Sequence, residues 1–244
     1  MPFMRCARVT VSGMCALVGL WAAPAMAGPW ARAAGDAFVS LQISAEEAPS
    51  DILAGLWEPE TYVSLYGELG LGRSLTLGAD IGRGEASREA IGFVRYTLTP
   101  PDAVWQMAVQ AGAGARQVGD GDVTGLVRLG ASIGRGFGAG GAAWYMPMRH
   151  QGGWTNLDLT ATHDLDLDNT IWQAEATAGF SLSQSVSAIF SVKAEDWPDA
   201  DPLVSVSPSI LIGLGEDVSV RLGARAALTG SDAVGLTLAI WREF

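Results

Sequence analysis

The chain alternates. From Tyr62 to Leu71 every odd-numbered residue except Gly67 is aliphatic, and the even ones are polar, aromatic or glycine. Beyond the short Gly72-Arg73 turn, Leu75, Leu77, Ala79 and Ile81 interleave with Ser74, Thr76, Gly78 and Asp80. Successive side chains of a β-strand point to opposite faces, so each such segment has one apolar and one polar side. The pattern predicts strands near residues 36–45, 61–71, 74–82, 88–98, 103–115, 122–134, 154–163, 170–180, 184–194, 203–213, 218–228 and 233–244. Most run to about 9 to 13 residues, a length that suits a tilted strand crossing a bilayer.

Alternation alone fits a soluble antiparallel sandwich as well as a barrel. Charge in the middle of the strands favours the barrel: Glu68, Asp80, Arg95, Arg128, Asp158, Glu175 and Arg221 share the polar face, while the other face is apolar almost throughout. A wet lumen accepts such charges, and lipid accepts the apolar face. The connections alternate too. With both termini on one side, short links such as Gly72-Arg73 and Ser181-Leu182-Ser183 fall together, and most longer ones fall on the other side. The longer links hold sixteen of the 26 acidic residues, Glu46, Glu60, Asp164 and Glu195 among them. The expected fold is an all-β, antiparallel, up-and-down transmembrane β-barrel of about twelve strands, within ten to fourteen. The 244 residues suit one such unit.

Two places break the regularity. Residues 135–153 form a long connection that fits a periplasmic excursion or a lumen plug, and Trp144-Tyr145-Met146 within it fits a further strand. Pro208 interrupts an otherwise regular strand and removes a ladder donor, which predicts a bulge there.

Residues 1–27 read as an address. Arg5 and Arg8 precede a mostly apolar stretch from Val9 to Trp21, and Ala25-Met26-Ala27 offers small residues where a signal peptidase reads. These features predict a signal peptide over 1–27, cut after Ala27, and a barrel over 28–244. The apolar core is shorter than the ~20 residues of a spanning helix, and Pro24 interrupts it. Cys6 and Cys15 both lie in the removed part, so disulfides and cysteine chemistry are not expected of the remainder. The full chain carries a net charge of −11; losing Arg5 and Arg8 with no acid leaves −13. A surface of that sign repels phosphate, so nucleic acid is not an expected partner.

The strand phase assigns faces. Glu68, Asp80, Glu89, Arg95, Arg128, Asp158, Glu175, Lys193, Arg221 and Arg225 are expected to face the lumen, together with a run of serines from Ser185 to Ser219. Tyr96, Trp105, Trp172, Phe180 and Phe244 are expected in the aromatic girdles at the two membrane surfaces. Unpaired charges in a narrow space are costly, so an ion-paired, closed lumen is one outcome. The other is a narrow channel in which Arg95, Arg128, Arg221 and Arg225 favour anionic solutes.

The terminal segment Val234-Gly235-Leu236-Thr237-Leu238-Ala239-Ile240-Trp241-Arg242-Glu243-Phe244 has apolar residues at every second place back from a final Phe. It resembles the C-terminal signature of bacterial outer-membrane barrels, although Arg242 departs from the usual apolar or aromatic residue. The segment Tyr62–Asp80, with Gly28-Pro29-Trp30 and Gly35-Asp36-Ala37-Phe38, is similar to a poorly characterised group of proteobacterial outer-membrane proteins. The resemblance implies a bacterial outer-membrane location, a lipid bilayer with lipopolysaccharide as surroundings, and the barrel-assembly machinery as a partner of the last strand. It implies no activity.

Some outer-membrane barrels, the phospholipase A type among them, are enzymes with a Ser-His pair on the outer rim. His163 ends a strand in phase with the lipid face, but the adjoining strand starts offer only Thr170. His150 lies in the irregular connection. Asp164, Asp166 and Asp168 stand at alternate positions but lack the glycine and distant Glu of a calcium loop. No catalytic residue, resident metal or cofactor is therefore expected. The expected function is a narrow passive channel or binding protein for small polar or anionic solutes. The alternatives are a structural or interaction barrel with a closed lumen and a lipid-modifying enzyme.

Overall fold

The computed structural model describes residues 28–140 and 150–244. Twelve strands follow in chain order: β1 (Ala37–Glu47), β2 (Glu60–Gly70), β3 (Leu75–Gly84), β4 (Ser87–Thr97), β5 (Gln106–Val118), β6 (Val123–Gly140), β7 (His150–Asp164), β8 (Asn169–Ser181), β9 (Val186–Asp196), β10 (Leu203–Gly213), β11 (Val218–Thr229) and β12 (Val234–Glu243). A five-residue helix, α1 (Pro49–Leu53), sits in the connection after β1. Every strand pairs antiparallel with its sequence neighbours, and β1 pairs with β12 to close the barrel.

Closure satisfies what an open sheet leaves unpaired. Phe38 faces Glu243 and Glu47 faces Val234 along the β1–β12 ladder. Past the ladder, the Phe244 amide donates to the Ala37 carbonyl at 2.9 Å and the Ala37 amide donates to the Phe244 carbonyl at 3.3 Å. Among the described residues no edge strand remains, which is the condition for a sheet to sit in hydrocarbon.

The alternation sorts the side chains as the sequence suggests. Leu41, Ile43, Leu65, Leu77, Val109, Leu129, Leu159, Ile210, Leu222 and Leu238 stand exposed on the outside. Inside lie the polar residues and a small apolar cluster, Phe38, Ile189, Ala239 and Trp241, with Tyr66 and Leu211 packed against it. Both termini of the barrel emerge at one end, here the terminal end. Among the described residues no helix is long and apolar enough to cross a membrane.

Three sequence expectations change. The irregular connection is shorter than 135–153, because β6 runs on to Gly140 and β7 starts at His150, paired as Gly140↔His150. The two strands continue as a ribbon beyond their neighbours. The stretch Gly134-Arg135-Gly136-Phe137-Gly138-Ala139-Gly140 does alternate, but glycine carries no hydropathy signal by which to read it. Trp144-Tyr145-Met146 falls outside the described residues.

The bulge expected at Pro208 is not there. The shift in the β10–β11 ladder lies between Val204 and Ser205, and Val206↔Ala226 and Ser209↔Gly223 keep one register across Pro208. Pro208 pairs by position with Phe190 of β9.

The acidic residues of the longer links are also redistributed. Glu46, Glu60, Asp164 and Glu195 belong to strands, not links. Glu46 and Glu195 both reach Arg225, and Asp164 is buried.

Candidate functional site in the barrel lumen

Among the described residues, three clusters of charge line the interior. Arg128 of β6 reaches across the strands to Asp80 at 2.9 Å and Glu89 at 2.7 Å, and its Nε donates to Thr162 at 3.0 Å. Arg116 holds the other Glu89 oxygen. Near the far end Arg225 pairs with Glu46 at 2.6 Å and comes within 3.9 Å of Glu195. Lys193 holds Glu195 at 3.0 Å, and Gln173 donates to the same carboxylate at 2.7 Å. Removing one partner of such a pair leaves a shielded charge that is costly to keep.

The third cluster involves the chain's own N-terminal segment. Residues 28–36 precede β1 and turn back into the barrel from the terminal end. Arg95 of β4 donates from Nη1 to the Gly28 carbonyl at 2.8 Å and from Nη2 to the Tyr66 hydroxyl at 2.9 Å. Thr97 donates to the Pro29 carbonyl at 3.0 Å. Arg32 pairs with Glu68 at 2.5 Å, and Arg95 with the same carboxylate at 2.6 Å; Tyr66 donates to it as well. Trp30 meets Trp154 edge to face, with centroids 6.3 Å apart.

The barrel wall leaves room for this segment. A Cβ on Gly134 would lie 2.5 Å from the Trp30 ring and 3.0 Å from Pro29. A Cβ on Gly70 would lie 2.0 Å from the Ala33 carbonyl oxygen. Both sites need glycine because the segment occupies the space a side chain would fill. Backbone bonds hold its far end, with Gly35 donating to Gly70 at 2.9 Å and Gly70 donating to Asp36 at 2.8 Å.

Inside the barrel is a chamber of about 330 Å³. Its lining includes Gly28, Tyr66, Asp80, Phe93, Arg95, Arg128, Ser132, Asp158, Thr160, Gln173, Glu175 and Lys193. On the opposite wall Arg221 donates to Ser209 at 2.8 Å and lies over the Trp241 ring, 5.7 Å from its centroid. The terminal end is thus narrowed from two sides, by residues 28–36 and by the Phe38–Trp241 cluster, whose rings are 5.7 Å apart.

Of the residues expected to face the lumen, Asp80, Arg95, Arg128, Asp158, Glu175 and Lys193 line this chamber, and Glu68 lies buried against Arg32 and Arg95. Arg221 and Arg225 sit on the wall formed by β11. The four arginines do not act as one free cluster, because Arg95, Arg128 and Arg225 are neutralised by carboxylates. Among the described residues, Arg221 has no carboxylate within 4.0 Å.

On the outside Tyr96, Trp105, Trp172 and Phe244 are 52%, 49%, 60% and 62% exposed. Arg135 lies over Trp105 and Arg242 over Phe244. Phe180 is only partly open: it packs against Phe137 and buried His150.

His163 lies on the outside with Nδ1 3.1 Å from the Thr170 hydroxyl and Nε2 3.7 Å from Asp168. Asp164 is taken up by its own turn. It accepts from the Asp166 and Leu167 amides at 3.0 Å each and from Thr124 at 2.7 Å. Asp166 accepts from the Gly125 amide at 2.8 Å. These carboxylates serve the hairpin tip, and no group of three candidate metal ligands gathers among the described residues.

Sequence reasoning missed residues 28–36 as lumenal. Proximity of Trp30 and Arg32 to the strands carries no periodic signal; an aromatic and a cation in so short a non-strand segment were the hint.

No family model matches the chain, and no curated relative does. Solved structures share its fold. The KdgM porin in complex with disordered oligogalacturonate superposes with a TM-score of 0.56 at 5% identity, covering 84% of this chain and 99% of that one. The NanC porin gives 0.52 at 8% identity, with 83% and 98% covered. The COG4313 outer membrane channel from Pseudomonas putida F1 gives 0.54 at 10% identity, with 88% and 98% covered. The chain has the fold of bacterial outer-membrane channels.

Proposed function

We propose that this chain is a bacterial outer-membrane protein providing a narrow passive path, or a binding chamber, for small polar solutes. The single observation that carries this reading is a charged chamber of about 330 Å³ enclosed by a closed barrel with an apolar exterior. Apolar side chains facing outward on a closed sheet are stable against acyl chains and not against water. The solved barrels of like fold are a porin carrying oligogalacturonate, a second porin and an outer-membrane channel, and their company supports the same reading. On this reading residues 1–27 are a signal peptide, both termini face the periplasm, lipopolysaccharide surrounds the far rim, and the assembly machinery reads the strand ending at Phe244.

Solute charge follows from the pairing. With Arg32, Arg95, Arg116, Arg128 and Arg225 paired with carboxylates, any preference for anions rests on Arg221 and its serine-rich wall. The experiment is single-channel recording of the mature protein in planar bilayers. Small, reproducible current steps are expected, with ion selectivity that shifts in Arg221→Gln. Absence of current at every voltage would overturn the channel.

A second reading, a barrel with a closed lumen serving structure or interaction, is favoured by the narrowing at residues 28–36. The same recording separates the two. Catalysis is not part of the proposal; His163→Ala is expected to leave lipid hydrolysis assays unchanged.

A further inference from the structure

Two lumenal carboxylates stand apart from the ion pairs. Among the described residues, Asp158 and Glu175 have no Lys or Arg nitrogen within 4.0 Å, whereas Asp80 has one and Glu68, Glu89 and Glu195 have two each. Arg95 lines the same chamber, but its donors go to Gly28, Tyr66 and Glu68. Lys193 is held by Glu195. A carboxylate drawn out of bulk water is expected to have a counter-charge.

Gly28 lies in the same chamber as these two carboxylates. It is buried, lines the chamber together with Asp158 and Glu175, and its carbonyl is fixed by Arg95. The position of a Cβ on Gly28 is 3.1 Å from Asn156 Nδ2. That same nitrogen donates to Asp158. In the intact chain the Gly28 nitrogen is a neutral amide; after cleavage behind Ala27 it is a cation.

We infer that hydrolysis of the Ala27–Gly28 peptide bond supplies a cation for Asp158, with the new α-ammonium of Gly28 pairing with the Asp158 carboxylate and fastening residues 28–36 in the barrel. Water adds across the peptide bond: Ala27 leaves as a carboxylate, and the Gly28 nitrogen takes up protons to become an ammonium group. The catalyst is a signal peptidase of the class that reads small residues before the cut. The inference rests on reading residues 1–27 as a removable signal. It makes processing the step that sets the charge beside Asp158, because the Gly28 nitrogen is a neutral amide in the uncut chain.

The test uses the protein purified from membranes in detergent. Mass spectrometry first identifies the N-terminal residue. Reductive methylation with formaldehyde and cyanoborohydride, which consumes only the uncharged amine, is then followed at that residue in the folded and the urea-unfolded protein. Methylation at Gly28 is expected to be about tenfold slower in the folded wild type, because an ion pair favours the charged form. In folded Asp158→Asn, checked by heat-modifiable gel migration, most of that protection is expected to be lost. A chain that begins elsewhere than Gly28 overturns the processing reading and the pairing with it. A chain that begins at Gly28 but reacts as fast folded as unfolded overturns the pairing alone. Protection that persists in Asp158→Asn shows burial without an ion pair and overturns Asp158 as the partner. Should that variant fail to fold, the wild-type comparison still decides whether the amine is held.

Discussion

Arg95 Nη1 donates to the carbonyl oxygen of Gly28 at 2.8 Å, joining the middle of the barrel wall to a segment 67 residues earlier in the chain. The same guanidinium reaches Tyr66 and Glu68, so one side chain ties the wall, a buried carboxylate and the N-terminal segment together.

Arg95→Met is expected to destabilise the barrel by about 3–5 kcal/mol, the range for breaking a buried pair by removing one partner. Glu68 would keep Arg32, but the Gly28 carbonyl would lose its charged donor. Urea unfolding in lipid vesicles, followed by tryptophan fluorescence, measures this. A loss smaller than about 1 kcal/mol would show that Arg95 is not central to the network.

Shortening the chain to begin at Asp36 is expected to leave the twelve-strand barrel intact and to raise single-channel conductance. None of the strands is cut, since β1 starts at Ala37. What is removed is the material between Gly134, Gly70 and Trp154 that narrows the terminal end. Unchanged conductance in a folded variant would place the narrowest point elsewhere, with the Phe38–Trp241 cluster as the next candidate.

Arg225→Gln is expected to make the path more cation-selective. The change leaves Glu46 without its close cation and Glu195 with Lys193 only, so the far mouth becomes more negative. Reversal potentials in a potassium chloride gradient read the shift, which should shrink at high salt as screening grows.

Leu129→Arg, at a position 59% exposed on the outside of β6, is expected to cost about 2–4 kcal/mol in a bilayer if that position lies near the midplane. Ser132→Arg reverses the comparison, because Ser132 lines the chamber on the other face of the same strand. Reversible unfolding from vesicles of one thickness compares the two, and equal costs would contradict the assignment of faces.

How far the sequence reached depends on what kind of regularity each feature has. Leu65, Leu77 and Leu238 declare their face because adjacent strand residues point to opposite sides, so a period of two yields both the strand and its orientation. Strand order followed as well: short links join neighbours, and an even number brings β12 back beside β1. The Gly134–Gly140 extension escaped because glycine is neither apolar nor polar in the count, although its backbone pairs like any other. Glu46 and Glu195 were misplaced for a different reason. Their charge looked like a solvated tip, and only Arg225, distant in sequence, shows that they close the lumenal network.

Which arginines are neutralised, and what fills the terminal end, came from the tertiary structure alone. Residues 28–36 have no periodicity, and they find their site through Arg95, Thr97, Glu68 and Trp154, which lie on strands brought together only when the sheet closes. Local pattern sets which way a side chain points, because that is a property of consecutive residues. What it meets there is set by distant residues that share no repeat with it.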